Sequence, residues 1–168
     1  MIVLVTGQLP VSALALLGEA DIRVVDGTKD RKAFLEAARG VDAVMTFVVD
    51  KVDAELLDAA GPQLKIVANV AVGYDNIDVP SLKQRGVVVT NTPDVLNGAV
   101  AELTWGMILA ITHRLGESER LVRRGDWSGW AFDFMTGMEL AGVTPGIIGK
   151  GRIGRDVARR AAALAMQV

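Results

Sequence analysis

The stretch Gly146-Ile147-Ile148-Gly149-Lys150-Gly151-Arg152-Ile153-Gly154, running into Arg155-Asp156-Val157-Ala158-Arg159-Arg160-Ala161-Ala162-Ala163-Leu164-Ala165-Met166, decides how this chain is read. A short apolar run, three glycines spaced G-x-G-x-x-G and a segment of strong helix formers predict strand, tight turn and helix. In such a unit the first glycine makes the turn and the second lets backbone approach a pyrophosphate. The third lets helix pack close on strand, and unpaired N–H groups at the helix start face the anion. The stretch therefore predicts the opening of a dinucleotide-binding βαβ unit, with a purely structural βα turn as the competing reading. The chain runs only 14 residues past Gly154. The acidic residue that takes the ribose hydroxyls is expected about 20 residues on, at the end of a second strand. The sequence is thus expected to stop inside its own nucleotide-binding unit.

Composition narrows the class before any further motif is used. At 168 residues, half of them apolar, the chain has enough hydrophobic material for a sizeable core in one domain or two small ones. A net charge of −2 with mixed signs leaves no basic face for nucleic acid. With no cysteine there is no disulfide framework, thiol chemistry or Cys-based metal site, and a cytoplasmic location is expected. Met1-Ile2-Val3-Leu4-Val5-Thr6 lacks the basic leader and length of a signal peptide. The apolar segment from Ala99 to Ile111 carries Glu102 and is shorter than the roughly 20 residues of a membrane span, so no membrane partner is expected.

Upstream of the glycine turn, short apolar strands alternate with helical segments. Strands are predicted at 2–5, 22–25, 42–47, 65–68 and 87–90, with helices at 9–17, 31–38, 53–60 and 79–85. This order indicates a parallel sheet covered on both faces. After the fourth strand, Asn69-Val70-Ala71-Val72-Gly73-Tyr74-Asp75-Asn76-Ile77-Asp78 forms a loop at a carboxyl strand end, where open α/β sheets place ligands. Its small residues expose backbone N–H groups suited to a carboxylate. Asn97 is the expected N-cap of a helix running to about Arg114, apolar nearly all round and so expected to be buried on several sides.

Four stretches together match a known family: 69–78, Gly86-Val87-Val88-Val89-Thr90-Asn91-Thr92-Pro93, Ala101-Glu102-Leu103-Thr104 and 146–154. They resemble the D-isomer-specific 2-hydroxyacid dehydrogenases, above all the glyoxylate or hydroxypyruvate reductases, with phosphoglycerate dehydrogenase a near cousin. The resemblance implies an NAD(P)-dependent oxidoreductase that moves a hydride between a nicotinamide cofactor and a small 2-oxo or 2-hydroxy acid. It implies an α/β fold: a flavodoxin-like substrate domain over residues 1–97, then an incomplete, truncated Rossmann domain over 98–168. By likeness, the N–H groups of Val72 and Gly73 hold the substrate carboxylate. Gly149, Lys150, Gly151, Arg152, Ile153 and Gly154 face the cofactor, and Thr104 lies near the nicotinamide. NAD and NADP stay undecided, and a homodimer through the long helix and the aromatic loop is implied for the full-length form. The family's catalytic Arg, Glu and His lie later than residue 168, so no catalytic residue is assigned and the chain alone is expected to be inactive. Pro145 and Lys150 depart from the apolar residues the family usually has there. The alternative is a non-catalytic nucleotide- or small-molecule-binding module.

The remaining chemistry-bearing residues read blandly. His113, the sole histidine, belongs to the end of the long helix and to no motif. Glu117, Glu119, Arg120, Arg123 and Arg124 have the spacing of a solvated helix face. Trp127, Trp130, Phe132 and Phe134 suit packing or a subunit contact better than ligand stacking. Asp50, Asp53 and Asp58 have no metal-ligating partner in view, and no metal is expected. The strand at Gly146 and the Ala-rich helix lack sequence partners, so the chain beyond about Gly125 is expected to be mobile, protease-sensitive or hidden in an oligomer.

Overall fold

The computed structural model describes residues 1–26 and 29–168, which divide into two compact units, Met1–Pro93 and Asp94–Val168. The first unit is built on five parallel strands: β1 (Ile2–Thr6), β2 (Asp21–Val25), β3 (Ala43–Thr46), β4 (Ile66–Asn69) and β5 (Val88–Thr90). Their spatial order is β2-β1-β3-β4-β5, the doubly wound order of flavodoxin-like sheets. The order reverses between β1 and β3, so the crevice for a ligand lies beyond the carboxyl ends of the strands.

Aspartates start the helices of this unit: Asp30 before α2 (Arg31–Ala37), Asp53 before α3 (Ala54–Ala60) and Asp78 before α4 (Val79–Gln84). Each accepts a hydrogen bond from the backbone N–H three residues on, supplying the acceptor that a helix start lacks. The first helical segment is only α1 (Val11–Leu14), continued by a 3-10 turn at Ala15–Leu17.

The core lies on one face of the sheet. Leu4, Val44 and Val67, side by side in register, pack with Phe34 of α2, Leu56 and Leu57 of α3 and Leu82 of α4. Burying each such side chain is worth about 1.5–3 kcal/mol. The opposite face departs from the sequence expectation. β1 is buried nearly throughout, but β3 and β4 bury only alternate residues, because α2, α3 and α4 share one face and α1 buries none of its residues.

The second unit holds α5 (Asn97–Thr112), α6 (Leu115–Arg123) and α7 (Arg152–Ala163). Leu96, not Asn97, occupies the N-cap position of α5. Asn97 is its first helical residue, and its side chain donates to Asp94 Oδ1 at 3.0 Å. The helix buries only Ala101 and Trp105 and exposes Leu103, Met107 and Ile111, so it is covered on one side rather than several. Arg114, in a left-handed conformation at φ 53°, breaks the chain between α5 and α6. Residues 143–148 form no strand, contrary to the sequence reading. They have only the start of a parallel pairing: the Gln167 N–H donates to Val143 O at 3.0 Å, and the Gly142 N–H to Ala165 O at 2.9 Å. What holds the segment is α7 packing on α5, with Trp105 Nε1 donating to Val157 O at 3.1 Å and Trp105, Leu140 and Ala161 forming a small core. Among the described residues, no helix is long and apolar enough to cross a membrane.

Candidate functional site

The glycine turn is built by close approach. A Cβ placed on Gly154 would lie 2.2 Å from the Gly149 carbonyl oxygen and 3.4 Å from Cγ2 of Ile147. Only a residue without a side chain lets the start of α7 sit this near the incoming segment. Gly149 makes the turn at φ +94°, a region that L side chains avoid. A Cβ on Gly151 would meet nothing within 4 Å, so the space beside the second glycine is open to an incoming group. Gly151 is the N-cap of α7, with no side chain closing it. Arg155 is the first residue of the helix whose N–H reaches a carbonyl, that of Gly151. The N–H groups of Arg152, Ile153 and Gly154 therefore have no protein acceptor among the described residues, which with the helix dipole makes the turn attractive to an anion.

Side chains around the turn set its shape more than its charge. Arg155 donates to the Lys150 carbonyl at 3.3 Å and Arg152 pairs with Asp94 at 3.1 Å, while the Lys150 side chain is exposed. Deeper in α7, the Asp156 carboxyl is held below the usual carboxylate range by hydrogen bonds from Arg159 and then Arg160. A cleft of about 420 Å³ runs from the turn along α5 and is lined by Thr104, Trp105, Ile147, Gly149, Ile153 and Gly154 among others. Thr104, Gly149, Ile153 and Gly154 thus meet in one cleft, with the Thr104 hydroxyl bonded to Val100 O at 2.7 Å.

Val72 and Gly73 lie in the first unit, in the loop after β4, at the carboxyl end of the sheet. Their carbonyls are taken: Asn91 Nδ2 donates to Val72 O and Asn69 Nδ2 to Gly73 O, both at 2.8 Å. Asn76 ties the same loop to the one after β3, donating to Phe47 O at 3.1 Å and Asp50 O at 2.8 Å. The N–H groups of Val72 and Gly73 have no acceptor among the described residues. The sequence reading gives Asn69, Asn76 and Asn91 no role. The available signal is that Asn69 ends an otherwise apolar strand and that Asn91 directly follows β5.

His113 is the exposed C-cap of α5 and lines a separate cavity of about 310 Å³ with Leu109, Met138 and Leu140. The charges at and along α6 form exposed pairs, Arg114–Glu117 at 2.8 Å and Arg123–Glu119, which solvent screens. Asp50, Asp53 and Asp58 sit in three different arrangements. Asp50 is buried and accepts from the Phe47 N–H, Asp53 caps α3, and Asp58 pairs with Arg85 at 2.6 Å. Trp127, Trp130, Phe132 and Phe134 remain exposed. The larger cavity of about 470 Å³, lined by Leu57, Pro62, Arg85 and Val87, opens at the amino ends of β4 and β5 and contains none of the candidate residues.

Residues 3–166 match the family model described as D-isomer specific 2-hydroxyacid dehydrogenase, catalytic domain. The chain belongs to the D-isomer-specific 2-hydroxyacid dehydrogenase family. It is 42% identical to the glyoxylate reductase of Thermococcus onnurineus, an alignment covering 99% of this chain and 52% of that relative. The crystal structure of a Thermus thermophilus protein superposes with a TM-score of 0.92 at 39% identity, covering 99% of this chain and 54% of the other. The D-lactate dehydrogenase of Aquifex aeolicus, crystallised with NAD and lactic acid, gives 0.80 at 30% identity, with 99% and 49% coverage. The chain therefore spans about half the length of the family members it matches. Its family and its α/β fold are as the four stretches implied.

Proposed function

We propose that this chain supplies the carboxylate loop and the cofactor turn of an NAD(P)-dependent reductase for a small 2-oxo acid of the glyoxylate or hydroxypyruvate type. On this reading residues 1–97 are the substrate domain and residues 98–168 open the Rossmann domain. The observation that carries it is the glycine turn: a third glycine in contact with the first, an open second glycine, and free N–H groups on Arg152, Ile153 and Gly154. The donor set fits a pyrophosphate, with Gly149 and Lys150 shaping the approach and Thr104 along the cleft toward the nicotinamide. When bound, the nicotinamide gives or takes the hydride. The chain's own residues bind and orient, with the N–H groups of Val72 and Gly73 receiving the substrate carboxylate. Neither the Val72–Gly73 loop nor the glycine turn contains a histidine, and on this reading the 168-residue chain by itself is expected to be inactive. The exposed apolar residues of α5 and the aromatic loop support a homodimer in the full-length form, and the cysteine-free composition goes with a cytoplasmic location.

Calorimetric titration of NADH and ADP into the chain and into Gly151→Val tests the turn. A side chain at the second glycine fills the space the pyrophosphate needs, so the variant should lose binding while keeping its fold. Equal affinities in the two proteins would make the turn structural.

A further inference from the structure

A peptide unit is planar and trans, so a carbonyl and the N–H that follows it point to opposite edges. In the loop after β4, three successive carbonyls are held. The Thr92 N–H donates to Ala71 O at 2.9 Å, Asn91 Nδ2 to Val72 O at 2.8 Å and Asn69 Nδ2 to Gly73 O at 2.8 Å. The N–H groups of Val72, Gly73 and Tyr74 are therefore each turned away from an anchor, and none has an acceptor among the described residues. We propose that Asn91 and Asn69 are positioning residues for carboxylate recognition, fixing the peptide planes that present the Gly73 and Tyr74 N–H groups, with Tyr74 N–H as a donor beyond those of Val72 and Gly73. The proposal rests on the carboxylate reading of this loop.

Packing alone does not call for these amides. Asn69 ends β4 at 2% exposure, where a β-branched apolar residue would close the strand without a buried polar group. Its amide is instead fully engaged: Oδ1 accepts from the Thr46 hydroxyl at 3.0 Å, and Nδ2 donates to Gly73 O and, at 3.3 Å, to Asn76 Oδ1. Asn91 stands just past β5; the backbone pairing ends with Thr92 N–H on Ala71 O, and Pro93, which follows, has no N–H to give Val72 O. Side-chain donors thus do what the sheet cannot, and the loop N–H groups are ordered before a ligand arrives. Such ordering lowers the cost of binding.

The test is an amide NMR titration of the 168-residue chain with sodium glycolate, with sodium chloride as the ionic control. Saturable shifts are expected at Val72, Gly73 and Tyr74. Asn91→Leu, similar in size but without a donor, should weaken glycolate binding about tenfold, the order of one lost charge-assisted hydrogen bond. Leu64→Ala, a core truncation at the amino end of the sheet, lowers stability without touching the loop and should keep the affinity. Asn69→Asp keeps the acceptor for Thr46 and removes the donor, so it should also weaken binding. If Asn69→Asp fails to fold, Asn91→Leu decides. Wild-type binding matched by Asn91→Leu would overturn the positioning role and leave the carboxylate reading standing. Absence of saturable shifts at Val72 and Gly73 in the wild type would overturn both.

Discussion

Replacing Gly154 by alanine sets a Cβ 2.2 Å from the Gly149 carbonyl oxygen, 3.3 Å from its carbonyl carbon and 3.4 Å from Cγ2 of Ile147. Real Cβ contacts stop near 3.0 Å, so α7 and the turn must part by about 0.8 Å. The obstacle is backbone, held in a turn at φ +94°, and cannot swing aside as a side-chain tip would. Overpacking of this kind costs about 1–3 kcal/mol, while alanine in place of glycine inside a helix returns up to about 1 kcal/mol. The expected net loss is about 1–2 kcal/mol, with a fall in melting temperature of roughly 4–8 °C for each kcal/mol in a unit of this size. All the tryptophans (105, 127 and 130) lie in the second unit, and Trp105 is bonded to α7. A tryptophan-fluorescence melt therefore reports the relevant packing. The control is Gly151→Ala at φ −75°, whose Cβ meets nothing and whose melt should fall only by the small loss of a glycine N-cap, less than that of Gly154→Ala. Coincident melts for Gly154→Ala, Gly151→Ala and the wild type would refute the close-approach argument.

Asp53 gives a pH-dependent prediction. Burial pushes its carboxyl up, but hydrogen bonds from Lys51 and the Leu56 N–H, with the charge and hydrogen bond of Arg31, outweigh burial and hold it below 3.8. Because the folded value lies below the unfolded one, the stabilisation is complete above the ordinary carboxylate value and is lost as pH falls through the folded one. Asp53→Ala should cost about 1 kcal/mol at neutral pH in urea denaturation, and the gap should narrow below pH 3.8; an equal gap at pH 7 and in strong acid would contradict the assignment. With glyoxylate or hydroxypyruvate and either NADH or NADPH, the 168-residue chain should show no turnover in an absorbance assay, and His113→Ala should change nothing. Turnover lost on that substitution would mean that His113 moves a proton.

Much of the molecule was legible from local pattern. The alternation of short apolar strands with helices and the glycine spacing are short-range signals, and they led to the parallel sheet and the turn; the aspartates that cap α2, α3 and α4 are signals of the same range that the reading left unused. Where local and long-range terms compete, the reading went astray. The apolar run before Gly149 looks like a strand, but a strand exists only by pairing, and beyond the Val143–Gln167 contact it has no partner among the described residues. Asn97 has the chemistry of an N-cap, yet the Asp94 carboxylate holds its side chain and the helix starts at Asn97 itself.

By itself the sequence determined the family, the order of elements and which loops carry the candidate N–H donors, because these follow from residue type and spacing along the chain. Only the tertiary structure decided the strand order with its reversal between β1 and β3, the close approach of Gly154 to Gly149, and the asparagine clamp on Val72 and Gly73. Asn69 and Gly73 are close in sequence, but Asn91 reaches Val72 only because β5 lies beside β4. A hydrogen bond between residues 19 apart depends on where two strands are placed, and no local periodicity encodes that.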